Sequence, residues 1–158
     1  MPLDPHELKK IADATLDHYH QRATEFWEGT RDHDVTQNID TLLRYIEGRA
    51  PFTILDFGCG PGRDLMAFTE RGHDAVGLDG AARFVEMARA NSGCEVWRQD
   101  FCRLDLPKAH FDGVFANASL FHVPAPALPR VWPAMHATLQ PGGVLFSSNP
   151  RGHNEAGW

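Results

Sequence analysis

Three glycines spaced two apart, Gly58, Gly60 and Gly62, interrupt the chain directly after the apolar run 52–57 and open a helix-like pattern. Glycine is what a turn needs when the backbone must take positive φ or lie against a ligand, because no Cβ intervenes. Asp56 stands just before the triplet, and Asp79 ends the next apolar run, seventeen residues after Gly62. A carboxylate at the tip of the second strand of a βαβ unit can accept both hydroxyls of a ribose. The combination points to a nucleoside-containing cofactor. Two plainer readings stand beside it: the glycines can serve only a tight strand-to-helix turn, and Asp79 can cap a helix that starts at Ala81.

The spacing bears on which cofactor. Dinucleotide sites use G-x-G-x-x-G, with the helix N-terminus open to a pyrophosphate. Here the order is G-x-G-x-G, with Pro61 between the last two glycines. Proline removes one backbone N–H that a phosphate would use. The Asp56 carboxylate near the loop suits an ammonium or a water-bridged cation better than an anion.

Strands and helices must alternate to place these groups. Residues 6–28 repeat apolar positions at helical spacing, and 35–46 do so again, with Asp34 or Thr36 to cap the second helix and Gly48 to stop it. Strand 52–57 then leads to helix 62–71, strand 75–79 to helix 81–91, and strand 94–99 to a charged, proline-rich loop. Strand 111–117 precedes helix 128–139, and strand 144–148 closes the series. Near-continuous apolar runs such as 113–116 are those of strands covered on both faces. The expected architecture is α/β: a Rossmann-like, doubly wound parallel sheet of five strands with N-terminal helices, in one domain. Its parts are a helical cap over 1–50, a core over 51–149 and a tail over 150–158.

Composition narrows the partners. A formal net charge of −6, from 15 basic and 21 acidic residues, argues against a nucleic-acid partner held through phosphates. Three cysteines without framework spacing, and an N-terminus without an apolar leader, predict a reducing, cytoplasmic setting and no membrane partner. His18 and His20 lie two apart, on different helix faces, and His33-Asp34 has no third ligand at useful spacing, so no metal site is expected.

Five short segments then resemble, in order, the motifs of class I S-adenosylmethionine-dependent methyltransferases of the small bacterial kind that act on small molecules. They are Asp56-Phe57-Gly58-Cys59-Gly60-Pro61-Gly62, Val76-Gly77-Leu78-Asp79, Gln99-Asp100-Phe101, the run from Phe111 to Asn117, and Leu139-Gln140-Pro141-Gly142-Gly143-Val144-Leu145, the turn before strand five. The resemblance implies S-adenosylmethionine as cofactor, S-adenosylhomocysteine as product and a small-molecule O, N or S acceptor. It implies a cofactor-binding set of Asp56, Gly58, Cys59, Gly60, Gly62, Asp79, Gly80, Asp100, Phe101 and Asn117. Asp79 would hold the ribose, Asp100 the adenine amino group and Phe101 the ring, with Asn117 beside the sulfonium. Tyr19 and Trp27 would close over the cofactor from the N-terminal helix, or else pack it as ordinary aromatics. His122, after the fourth strand, is the candidate general base or acceptor-orienting group.

Two departures from the family stand out. Pro133 falls inside helix 128–139 and predicts a late start near Arg130 or a kink. The family's antiparallel strands six and seven have no counterpart after Ser148, which would leave an apolar sheet edge open. Self-association, another cover over that edge, or marginal stability is expected. Three functional readings follow: a methyltransferase acting mainly by positioning, a cofactor-binding domain with little turnover, and a nicotinamide oxidoreductase, against which Pro61 and the glycine spacing weigh.

Overall fold

A computed structural model describes residues 4–151. The chain begins with α1 (Pro5–Gln21), α2 (Ala23–Thr30) and α3 (Thr36–Tyr45). Then come β1 (Thr53–Phe57), α4 (Arg63–Glu70), β2 (Asp74–Asp79), α5 (Ala82–Ser92), β3 (Val96–Arg98), β4 (Phe111–Asn117), α6 (Leu128–Thr138) and β5 (Leu139–Ser148). The five strands form one parallel sheet in the order β3-β2-β1-β4-β5. The order reverses between β1 and β4, and open α/β sheets bind ligands in the crevice beyond the strand ends at that switch point.

The two faces of the sheet are dry. On one, α3 and α4 bury Ile39, Leu42 and Phe68 against Ile54 and Phe115, and α5 buries Val85 and Ala88 beside Val96. On the other, α6 sets Val131 and Met135 against Leu55, Phe57, Leu78 and Val114. Strands covered on both sides account for the near-continuous apolar runs within β1 and β4. Among the described residues no strand pairs with the outer edge of β5. No helix among them is long and apolar enough to cross a membrane.

Four expectations need correction. The helix expected over 6–28 is two helices, parted at Arg22, whose φ of −115° and ψ of 17° leave the helical region. The first starts on a capping box in which Asp4 and Glu7 each take the other's backbone N–H. Second, α6 starts at Leu128, not late, because Pro129 lies in its first turn, where no donor is required. Pro133 is carried inside the helix and removes the bond to the Pro129 carbonyl. Third, β5 starts at Leu139: Leu139 pairs with Phe111 and Val144 with Gly113, so the expected turn is a bulge within the strand. Fourth, β3 is only Val96–Arg98, half the expected length. Asp34, not Thr36, serves the start of α3, its Oδ1 accepting the Thr36 N–H at 2.9 Å. Most of the expected tail falls outside the described residues.

The glycine triplet divides its work. Gly58 has φ 79°, and a Cβ there would meet the Cβ of Ser119 at 2.4 Å. Gly62 has φ 97°, and its Cβ would meet the Ala88 backbone on α5 at 2.9 Å. Of the three, Gly60 alone would place a Cβ in ordinary contact, with Phe26 at 3.6 Å. Gly72, at φ 83°, has nothing within 4 Å of a built Cβ and measures backbone strain alone. Gly72→Ala is therefore expected to cost about 1 kcal/mol. Gly62→Ala adds the collision with α5 and is expected to cost about 3 kcal/mol. Urea midpoints check both, and equal losses would remove the packing role of Gly62.

Candidate functional site

A cavity of about 390 Å³ opens where β1, β2 and β4 end, beneath α1 and α2. Its floor is the loop after β1. Gly58 and Cys59 donate their N–H groups to the Leu78 carbonyl at 2.8 and 3.0 Å, pinning the loop to the end of β2. Asp79 closes the same corner. Its Oδ2 accepts the Gly60 N–H at 2.9 Å and its Oδ1 the Ala81 N–H at 3.0 Å. The carboxylate thus caps the approach to α5 and also lines the cavity. It is 8% exposed, and burial lifts its pKa to about 6. The backbone N–H groups of Ala81, Gly60 and Gly80 oppose that rise. A carboxylate has about four lone-pair sites, so about two remain for a ligand's hydroxyls.

One wall carries Asp100, Phe101 and Cys102. Asp100 Oδ1 accepts the Cys102 N–H at 2.8 Å, and Phe101 stacks on Phe57 with centroids 4.4 Å apart. The opposite wall carries Asn117, Ala118 and Ser119, whose hydroxyl donates to the Phe57 carbonyl at 2.7 Å. The roof is aromatic. Tyr19 meets Phe26, Phe84 and His122 with centroids 5.1–5.5 Å apart. Leu16 from α1 lies on Gly80, where a Cβ would come within 2.6 Å. The Tyr19 hydroxyl and His122 Nε2 are 2.6 Å apart. Burial, with Asp79 adding to it, pushes the Tyr19 phenol up to about 12. Burial, with His18 adding to it, pushes His122 down to about 4. Both groups are neutral at pH 7, and in the Nδ1–H tautomer the phenol donates to Nε2.

Of the expected residues, Gly58, Cys59, Gly60, Asp79, Gly80, Asp100, Phe101, Asn117, Tyr19 and His122 come together around this cavity. Three do not line it. Trp27 is turned aside, because the break at Arg22 brings Phe26 under Tyr19 and leaves the next residue a third of a turn away. Gly62 backs onto α5. Asp56 lies beneath the loop, 1% exposed, with Oδ2 lacking a hydrogen-bond partner among the described residues. Burial first, and then the Asp64 carboxylate, raise its pKa well above the usual carboxylate range. That rise disfavours the charged form an ammonium would seek. Burial likewise keeps the Cys59 thiol protonated, as suits a filler.

Several contributors escape the sequence reading, Arg63, Phe26 and Leu16 among them. Arg63 grips Asp64 through Nε at 2.8 Å and donates from Nη1 to the Thr30 carbonyl at 2.9 Å, tying α4 to the end of α2. Neighbouring residues in a helix give no periodic signal of such a pair. Phe26 and Leu16 are spaced like core residues, and only the docking of α1 and α2 turns them toward the cavity. No group of three or more metal-ligating side chains gathers among the described residues.

Comparison with known proteins agrees with this geometry. A family model described as a methyltransferase domain matches residues 54–143. The trans-aconitate 2-methyltransferase of Azoarcus sp. (strain BH72) is 36% identical over 105 residues, which are 65% of this chain and 41% of that protein. The ubiquinone biosynthesis O-methyltransferase of Pseudomonas paraeruginosa (strain DSM 24068 / PA7) is 29% identical over 92% of this chain and 68% of its own length. The Burkholderia thailandensis 1,6-didemethyltoxoflavin-N1-methyltransferase, solved with bound 1,6-didemethyltoxoflavin and S-adenosylhomocysteine, superposes with a TM-score of 0.69. That alignment is 26% identical and covers 93% of this chain and 65% of the other. The chain spans less than half the length of the Azoarcus relative. With the family match running from β1 into the bulge of β5, on a sheet whose switch point carries the ligand cavity, the chain belongs to the methyltransferase-domain family, the class I S-adenosylmethionine-dependent methyltransferases.

Proposed function

We propose that this chain binds S-adenosylmethionine in the cavity between β1 and β4 and transfers its methyl group to a small molecule, chiefly by holding the two reactants in line. The observation that carries the reading is the buried Asp79 carboxylate. Backbone N–H groups from the glycine loop and the α5 approach fix it, and it keeps acceptor capacity toward the cavity. The surroundings fit an adenosyl group. Gly58 and Gly80 leave no room for a side chain, Phe101 offers a ring to pack against, and Asp100 a carboxylate oxygen for an amino group. The cavity volume, about 390 Å³, lies in the range of small-molecule sites.

When bound, the cofactor supplies an electrophilic methyl on a positively charged sulfur. The chain's part is to bind, orient and exclude water. Asp79 receives the ribose hydroxyls, while Gly58, Cys59 and Gly60 present backbone alone to the methionine portion. Tyr19, Phe26 and Phe84 form the dry roof. Such positioning supplies much of the acceleration in a displacement between two bound groups. With a pKa near 4, His122 is a weak base at neutral pH, and its bond to Tyr19 suits it to hold α1 down over the site. The trans-aconitate and ubiquinone-pathway activities named for the relatives make small oxygen-bearing molecules the first acceptors to try.

Calorimetry is expected to show S-adenosylhomocysteine binding and no binding of NAD; the reverse sinks the assignment. Asp79→Ala is expected to weaken S-adenosylhomocysteine by about 2 kcal/mol, the loss of a buried charged acceptor. An unchanged affinity in a folded variant refutes the ribose role. Because hydroxyl donors favour the ionised carboxylate, the affinity is expected to rise as pH climbs through about 6. Transfer of tritium from methyl-labelled cofactor to a metabolite panel then separates turnover from binding alone.

The His122 shift gives a further outcome. Its folded pKa lies below the unfolded value of 6.5, so the unfolded chain takes up a proton first as pH falls. The stabilisation is present above about pH 6.5 and is lost as pH drops through about 4. Asp79, raised in the fold, works in the opposite direction over much of the same window. The stability difference between wild type and His122→Gln isolates the histidine. It is expected to grow in favour of wild type from pH 4 to 6.5, and a flat difference in urea titrations contradicts it.

A further inference from the structure

Asn117 ends β4 on the cavity wall, and its neighbours decide which end of its amide faces inward. Ala118 follows with φ 53°, a left-handed conformation that costs energy in a residue with a Cβ and is kept where surrounding structure enforces it. That turn sends the Ala118 N–H across to β5, where it bonds both the carbonyl and the Oγ of Ser148 at 3.0 Å. A backbone N–H only donates, so Ser148 Oγ accepts there and has one proton to place elsewhere. The proton goes to Asn117, 2.6 Å away, which requires the carbonyl Oδ1 on that side. Asn38, from α3, donates its Nδ2 to the same oxygen at 3.0 Å. Oδ1 is thereby filled by two donors. The Nδ2 amide group of this cavity-lining residue makes no hydrogen bond among the described residues.

An amide NH2 carries positive partial charge. It is unfavourable beside a sulfonium, the place the family resemblance gives Asn117, and favourable beside an oxygen lone pair. We propose that Asn117 is a specificity-determining residue that donates a hydrogen bond to an anionic oxygen of the methyl acceptor, and that Ser148 is the positioning residue that keeps its amide that way round. The acceptor class is thus a small carboxylate or phenolate. This rests on the methyl-transfer reading above and adds the acceptor's chemistry to it.

The test uses the full chain loaded with S-adenosylhomocysteine. Trans-aconitate and 4-hydroxybenzoate serve as anionic probes and putrescine as a cationic control, all read by calorimetry. At least one anion is expected to bind and putrescine is not. Asn117→Asp, which replaces the donor edge by an oxygen at unchanged size, is expected to weaken that anion about tenfold or more, the loss of one charge-assisted bond. Ser148→Ala is expected to weaken it as well and Ser148→Thr to restore it, a rescue that bulk packing would not give. The 15N side-chain signal of Asn117, assigned by its loss in Asn117→Asp, is expected to move with the anion and not with S-adenosylhomocysteine. The inference is overturned if neither anion binds the loaded chain, if putrescine binds better, or if Asn117→Asp weakens S-adenosylhomocysteine as much as the anion. Failure of the wild-type chain to bind S-adenosylhomocysteine is a different result and defeats the cofactor reading instead.

Discussion

One buried carboxylate organises the whole site. Asp79 ends a central strand, and its two oxygens reach the N–H of Gly60 on one side and of Ala81 on the other. These bonds join the loop after β1 to the start of α5, so that a single side chain fixes the floor of the cavity. A buried charge is costly unless its hydrogen bonds are met, and here they are only partly met by the protein itself. The pKa near 6 records that deficit. In the proposed reading, two hydroxyl donors from a ribose would make good what the backbone leaves open.

The fold was legible because every central element carries a simple signature. β1 and β4 carry near-continuous apolar runs at 53–55 and 113–116, their neighbours are helices of ordinary period, and a glycine follows each of β1 and β2. The errors fell where two local rules competed. Residues 6–28 keep a helical period through Arg22, and periodicity does not register a single residue leaving the helical region. Pro133 pointed to a late start, yet α6 carries it inside and begins at Leu128, with Pro129 in a first turn that needs no donors. The Gln140-Pro141-Gly142 segment reads as a turn, and pairing on either side of it made a bulge instead.

The site was legible in its floor and less so in its roof. Gly58, Gly60 and Asp79 are placed by neighbours close in sequence or one strand away, so their spacing carries their geometry. Trp27, Asp56 and Gly62 failed to reach the cavity for separate reasons: a helix break, the pleat of β1 and a neighbouring helix. Phe26, Arg63 and Ser148 went unseen because each acts across a long stretch of chain. Ser148 reaches Asn117 over 31 residues, and only the pairing of β4 with β5 brings them level.

The approach of Ser119 to Gly58 has its own consequence. A β-carbon at 58 would fall 2.4 Å from that of Ser119, so the two positions share a volume that admits one β-carbon. They therefore behave as a single locus under mutation. A side chain can enter at 58 only where 119 has become glycine or the chain after β4 has swung outward, and in that second case the cavity wall moves with it.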